Sequence, residues 1–501
     1  MHCRHHPTCP GCPLLDRPYD QQLAAKRRRL QGVLDLYPQL EAGTVPPVQA
    51  AVRQEGYRHR LKLPVARTKK GVNIGLYGPK RRVLHTPDCP VLHPALQAAL
   101  PPIADWLRTK RGVHSLDLRV TAHKGELQAI FACQGGDLHG GPRGARELMR
   151  QVPGLVSVAV STADPRGKKV MGRRPRVVAG AAALTETIGT TNYQLHPGAF
   201  FQVDPENALQ IHALVKDWVG SARRVLDLYA GVGAYARMLA KPGRKLTVVE
   251  EVPQAIAAAT AGSPPGLRVV TGKVEDQRFP HRFDAVVMNP ARKGATPSVM
   301  EALARITDRL IYVSCGPETL ARDLDVAAVH GLRVKELRAV DLFPQTPEVE
   351  AVVLLERGTP QRQWTWDGAP ARGPWQGTPS GAVGRASELI VLCIGVPNKK
   401  FSLPGARWEL LGEVATHGLL RIETRGGGRD VVRALASRGH PPAGQHGPTA
   451  AFFAAKANLQ RPFVHVRRAG GAPVPLHGDL VTALRDLGAS HRLITRAGGP
   501  R

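Results

Sequence analysis

Between residues 186 and 357 the chain alternates short apolar runs with segments of helical spacing. RRVLDLYAGVG, KLTVVEE, RFDAVVMNPA and RLIYVSC each begin apolar and end abruptly in polar or glycine residues. An unbroken apolar strand needs both faces covered, and intervening helices supply that cover in a parallel sheet with crossover connections. Few other architectures accept this pattern. In an open parallel sheet, ligands bind beyond the carboxyl ends of the strands. The polar residues that stop each run are therefore the first candidates for chemistry.

The remainder of the chain reads differently. Residues 1–95 carry a cysteine cluster, and residues 45–185, overlapping them, turn to short strands such as YRHRLKLPVA, SLDLRVTA, ELQAIFAC and GLVSVAVS. These alternate apolar with polar or basic residues, which predicts a β-rich basic region whose strand-borne charges face outward. That face is either a solvated surface or an RNA-binding one. Residues 358–386 are rich in Gly, Pro and Ser and read as a linker. Residues 387–501 form a third, α+β unit. Lys plus Arg number 69 against 40 Asp plus Glu, a net charge of +29. Such an excess favours a polyanionic partner through counterion release, and nucleic acid suits it better than a membrane surface. Aromatic residues make up only 5%, too few for extensive base stacking. No run of apolar residues is long enough to span a membrane, and the first residues lack the apolar core of a secretory signal. A cytoplasmic, monomeric protein is expected.

Individual residues carry more specific signals. Cys3, Cys9 and Cys12 stand as C-x5-C-x2-C, and Cys89 follows in HTPDCPVLHP. Four thiolates can hold zinc or an iron–sulfur cluster. Two C-x2-C pairs would point to zinc; this three-plus-one spacing fits a [4Fe–4S] cluster better, the alternative being reduced thiols in a loose terminus. At the sheet edge, Asp227-Leu-Tyr-Ala-Gly-Val-Gly233 joins an apolar strand to a helix, and Glu250 ends the next strand, where a carboxylate can grip ribose hydroxyls. The loop lacks the third glycine of a dinucleotide fingerprint and resembles the nucleoside loop of S-adenosylmethionine methyltransferases. Asn289-Pro290-Ala291-Arg292 departs from the Asn-Pro-Pro-aromatic run associated with methylation of exocyclic amines. Cys315 ends a strand just before a proline-led helix, a place where a thiol is expected to have a lowered pKa. Glu348 and Glu350 precede a buried strand, and either could be a solvated loop carboxylate or a general base. One nucleophilic thiol, one base and one cofactor loop are the parts needed to methylate carbon 5 of uracil.

Seven motifs in order carry a resemblance over residues 1–357: C-x5-C-x2-C, DCPVLHP, PGAFFQV, DLYAGVG, NPARKG, YVSCGPETLARD and FPQTPEVEAVVLLE. With them the chain resembles the RNA uracil-5-methyltransferase family, which makes 5-methyluridine in tRNA and 23S rRNA. The resemblance implies a Rossmann-like S-adenosylmethionine-dependent domain over 186–357. It implies a [4Fe–4S] cluster on Cys3, Cys9, Cys12 and Cys89, cofactor contacts at Gln202, Tyr229, Glu250 and Asn289, Cys315 as nucleophile and Glu350 as base. Many members have Asp where Asn289 stands. The branch similar to the 23S rRNA uridine-747 enzyme uses Asn, also begins with a cysteine at residue 3, and lacks the N-terminal TRAM barrel, which no segment before Cys3 supplies here. The expected substrate is accordingly 23S rRNA, with the tRNA T-loop uridine as the alternative; an inactive iron–sulfur RNA-binding protein is the alternative of another class. Glu348 stands where the family often has His. In the third unit, GGGRDVVRALASRGHPPAG and its sequel resemble the terminal part of RluA-type pseudouridine synthases. No upstream HRLD motif carries their catalytic aspartate, and HRLITRAGG, out of order, has Ile494 where it would stand, so the expectation is a degenerate module that helps hold RNA or only packs.

Overall fold

The structure is a computed structural model that describes residues 1–34, 40, 43–163, 175–260, 264–358 and parts of 387–497. Helix α1 (Tyr19–Leu34) leads into a six-stranded sheet of β1 (Arg60–Thr68), β2 (Gly71–Ile74), β3 (Val113–Val120), β4 (Leu127–Cys133), β5 (Leu155–Thr162) and β6 (Arg176–Gly180). Its order is β2-β1-β3-β4-β5-β6. Only β4 and β5 run parallel, and the crossover between them is helix α3 (Gly141–Gln151). That helix and α2 (Pro94–Leu107) bury Leu96, Leu100, Trp106 and Leu148 against Leu61, Leu116, Leu118 and Phe131 on one face. The period-2 alternation of the strands supplies that face.

The other face overturns an expectation. Arg60, Asp117 and Arg119 do not point into solvent; they are 6%, 2% and 5% exposed. Arg60 grips Asp117 through Nε (2.8 Å) and a terminal nitrogen (2.6 Å). Both Arg60 and Arg119 donate to the carbonyl of Ala199. The chain around residue 199, which follows the hairpin of β7 (Leu184–Ile188) and β8 (Thr191–Leu195), thus lies over this face. Burying the guanidinium and carboxylate is tolerable because each is paired and hydrogen-bonded. Alternation told which residues share a face; it could not tell that a later segment covers it.

After helix α4 (Pro205–Val219) comes the second sheet: β9 (Arg224–Leu228), β10 (Lys245–Glu250), β11 (Leu267–Thr271), β12 (Ala285–Met288), β13 (Arg309–Ser314), β14 (Leu332–Val340) and β15 (Glu350–Arg357). The order is β11-β10-β9-β12-β13-β15-β14. The pairs from β11 to β13 are parallel, and β15 runs antiparallel to both β13 and β14. Helices α5 (Ala234–Leu239), α6 (Pro253–Thr260), α7 (Pro297–Ile306) and α8 (Pro317–Val329) make the connections. The apolar runs split between two cores. Leu226, Leu228, Met288 and Tyr312 pack with α1, α7 and α8, whereas Val225, Val287, Ile311 and Val313 pack with α4 and α5. This is the Rossmann-like α/β arrangement expected for 186–357.

A third sheet holds β16 (Glu388–Ile394), β17 (Ala406–Val414), β18 (His417–Thr424) and β19 (Val464–Arg468) in the order β17-β18-β16-β19, all antiparallel. Ile494, on the short helix His491–Arg496, is buried in its core. The linker expected over 358–386 lies outside the described residues except for Gly358, as does most of the stretch compared with pseudouridine synthases. Among the described residues no helix is long and apolar enough to cross a membrane.

Candidate active site

The glycine loop forms where β9 ends. Gly231 and Gly233 have φ of +56° and +72°, the left-handed region open to glycine, and Tyr229 shares it at +56°. A tyrosine held there is strained, a condition that persists only where the surroundings fix it. Those fixings are visible. The Tyr229 hydroxyl donates to Glu275 (3.2 Å), and Ala230 N–H donates to the Val249 carbonyl (3.2 Å). Glu250, at the end of β10, accepts from Gly231 N–H (2.8 Å) with one oxygen and from Glu251 (2.9 Å) and Val252 (2.8 Å) with the other. Its carboxylate therefore shapes the loop. Asp227 is fully buried and accepts from Ala236 N–H (3.0 Å). Burial, with the charge of Glu250, pushes its carboxyl up to about 7.

Asn289 follows β12, and its N–H donates to the Leu228 carbonyl (3.3 Å), so Asn289 and Tyr229 are neighbours on adjacent strand ends. Tyr229, Glu250 and Asn289 thus share one carboxyl edge, as anticipated. Gln202 lies on the separate connection from β8 to α4, half-buried. Its neighbours Phe201 and Val203 line the cavity of the N-terminal cysteines. Glu275, which the sequence reading did not single out, and Asp227, named there only as the start of the glycine loop, also line this edge. Glu275 had a signal, because it follows β11 at the same edge.

Backbone register brings the next two candidates together. Ser314 pairs with Ala351 across β13 and β15, so Cys315, one residue beyond, stands opposite Glu350. Glu350 is buried; desolvation, together with the charge of Glu348 and against that of Arg292, pushes its carboxyl up to about 8. The Cys315 thiol is shifted upward, not downward as its position before a helix suggested. Burial is the main cause and the carboxylates of Glu350 and Glu348 add to it, while Arg292 opposes them. Arg292 is exposed and pairs with Glu348 at 3.6 Å. Its loop is pinned to α8: Thr319 donates to the Arg292 carbonyl (3.0 Å) and Arg322 to those of Lys293 and Ala295 (2.9 Å each). A methyl group on Gly294 would lie 2.4 Å from Asp323 Oδ2, so no larger residue fits this turn unchanged.

The N-terminal cysteines gather elsewhere. Cys3, Cys9, Cys12 and Cys89 line one cavity of about 380 Å³, together with Arg58, Arg60 and Phe200. Burial and the nearness of Cys89, Cys9 and Cys3 push the Cys12 thiol up to about 12. Among the described residues, no three His, Cys, Asp or Glu side chains are drawn into a geometry that would hold a metal ion.

Comparison with known proteins converges on one family. Residues 273–358 match the model of the tRNA (uracil-5-)-methyltransferase family, and residues 193–311 match the methyltransferase small domain. An uncharacterized RNA methyltransferase of Geobacter sulfurreducens is 30% identical over 386 residues, covering 72% of this chain and 77% of the relative. A similar protein of Gloeobacter violaceus is 31% identical over 369 residues, covering 70% and 81%. Among solved structures, the tRNA (uracil-54, C5)-methyltransferase of Pyrococcus abyssi in complex with S-adenosyl-L-homocysteine is 25% identical with a TM-score of 0.58, covering 70% of this chain and 86% of that one. With a glycine loop, an asparagine and a thiol on successive ends of a methyltransferase sheet, the chain belongs to the RNA uracil-5-methyltransferase family and is an S-adenosylmethionine-dependent RNA methyltransferase.

Proposed function

We infer that the enzyme methylates carbon 5 of a uridine in 23S rRNA, with Cys315 as nucleophile and Glu350 as general base. The observation that carries this is the β13–β15 register, which sets Cys315 opposite Glu350 at the same sheet edge as the glycine loop, with β12 between. On substrate binding the Cys315 thiol gives up its proton to solvent and the thiolate adds to carbon 6 of the uracil, the electron pair moving to carbon 5 as an enolate. When bound, S-adenosylmethionine supplies an electrophilic methyl group on positively charged sulfur, and carbon 5 takes that methyl. Glu350 then removes the proton from carbon 5, the carbon 5–carbon 6 double bond re-forms, and Cys315 leaves as thiolate. Tyr229, Glu250, Asn289 and Gln202 are the residues that would hold the donor. The target base must be turned out of any duplex to reach this edge.

RNA would lie along the exposed basic edge of the six-stranded sheet. Arg67, Lys69, Lys70, Lys80, Arg81 and Arg82 are all exposed on and after the β1–β2 hairpin. Beside them Tyr77 is 51% exposed, with the Arg81 guanidinium 5.8 Å from its ring centroid. This patch takes the role first given to the sheet face that residue 199 covers. The four-cysteine cavity would hold a [4Fe–4S] cluster through Cys3, Cys9, Cys12 and Cys89, supplying a structural cross-link within residues 1–95. The choice of rRNA rests on Asn289. Labelled S-adenosylmethionine with unmodified 23S rRNA and unmodified tRNA in separate reactions, each digested to nucleosides, tests it. Label in 5-methyluridine from rRNA supports the reading; label from tRNA alone moves the substrate to the T-loop. Label in any other nucleoside would overturn the chemistry.

A further inference from the structure

The segment that leads into Glu350, residues 341–349, is held from behind by the first sixty residues of the chain. Asp341 is fully buried; Lys26 of α1 pairs with one of its oxygens and the Tyr19 hydroxyl donates to the other (3.0 Å). Lys26 also donates to the Phe343 carbonyl (2.9 Å). Gln22 meets Gln345 twice: its Oε1 accepts from Gln345 N–H (2.9 Å) and its Nε2 donates to Gln345 Oε1 (2.7 Å). The Gln345 carbonyl accepts from Leu14 N–H (3.0 Å), the Pro344 carbonyl from the Tyr57 hydroxyl (3.1 Å), and the Pro347 carbonyl from Arg29 (3.0 Å).

Gln345 is the point of greatest constraint. It is buried, is not glycine, and has φ of +71°. Such a residue relaxes unless its neighbours over-determine it, and Gln22 satisfies its backbone N–H and its side chain together. Five residues later Glu350 begins β15, paired with Val340 of β14, and the clamped turn between those two residues keeps this strand end in register with Cys315. We propose that Gln22 and Lys26 are positioning residues for the proton-removal step, fixing residues 341–349 so that Glu350 reaches carbon 5 of the methylated uridine. The proposal rests on reading Glu350 as the base. Addition by Cys315 and methyl transfer do not need that carboxylate, so loss of the clamp strands the reaction after methylation.

The test compares Gln22→Leu with Glu350→Gln in the full-length protein. Tyr19→Phe, which removes one bond from the same segment, serves if Gln22→Leu does not fold. With ordinary RNA, both Glu350→Gln and Gln22→Leu should accumulate the covalent protein–RNA adduct carrying the transferred methyl. Turnover of Gln22→Leu should fall on the order of 10²-fold, as for a misplaced catalytic group, and because the slowed step follows irreversible methyl transfer, KM should fall with it while kcat/KM holds. With 5-fluorouridine RNA, whose carbon 5 has no proton to remove, the adduct should form at the wild-type rate. If Glu350→Gln traps adduct but Gln22→Leu does not, or slows the fluorouridine adduct equally, the positioning role is overturned and the base stands. If Glu350→Gln traps no adduct, the base reading fails and the proposal falls with it.

Discussion

Cys315 and the four N-terminal cysteines sit in opposite company. Cys315 faces two carboxylates and one guanidinium at the end of a central strand, whereas Cys12 faces three other thiols across a cavity. Burial and two carboxylates hold the Cys315 thiol above its ordinary pKa, with Arg292 opposing them. Thiols facing one another are poor nucleophiles in concert and good donors to one shared electron-poor centre. Cys315 and Cys12 are both half-buried, so the difference teaches that the company of a cysteine, not its depth, sets these two sites apart.

Substitution at each site should break the comparison if it is wrong. Cys315→Ala should abolish adduct formation and cut methyl transfer on the order of 10⁴-fold or more, the scale of losing a nucleophile. RNA binding and iron content, measured alongside, should not change; an alanine variant that still turns over would refute the nucleophile. Cys89→Ser should do the reverse, losing bound iron and sulfide and lowering the melting midpoint, since a structural metal centre is worth several kcal/mol of folding free energy. Iron content equal to that of the unaltered protein would remove Cys89 from the ligand set.

Glu350 sharpens the comparison through pH. Its carboxyl is raised from an ordinary 4.5 to about 8, so the folded state binds this proton more tightly than the unfolded state. Stability from this group is therefore full below pH 4.5 and is lost as pH rises to about 8. Glu350→Gln should melt higher than the parent at pH 8, by roughly a few degrees, and the gap should close toward pH 4. Turnover of the unaltered enzyme should rise across the same upper range as the base ionises. A pH-independent melting difference would mean that the carboxylate is not desolvated as described. The smallest effect is expected from removing residues 359–501. Neither cysteine site draws a described contact from the third sheet, so iron content and the methylation rate on a short RNA should be unchanged.

Much of the methyltransferase sheet was legible because its strands are unbroken apolar runs, and the residues that end them are the candidate site residues. Tyr229, Glu250, Asn289 and Cys315 could be placed at one edge from chain order alone. Their tuning could not. Helix position suggested a lowered Cys315 pKa, but burial and two carboxylates that join it only through the β13–β15 pairing reverse the sign. The inward turn of Arg60 and Arg119 was equally hidden, since alternation assigns faces without saying which one a later segment will cover. Lys26 read as part of a basic helix, and its partner Asp341 lies 315 residues away. No local pattern reports a contact of that span.

That span has a consequence for how the protein is made. The amino end leaves the ribosome first, carrying a helix whose Lys26 is destined for complete burial. Its counter-charge is not synthesised until residue 341, after nearly all of the sheet. Until then α1 must stay undocked or rest against the unfinished sheet by its leucines alone. Contacts this distant in sequence are among the last to form. The reacting groups therefore come into alignment only at the end of synthesis of the catalytic part, and a nascent chain shorter than that has no clamp with which to work.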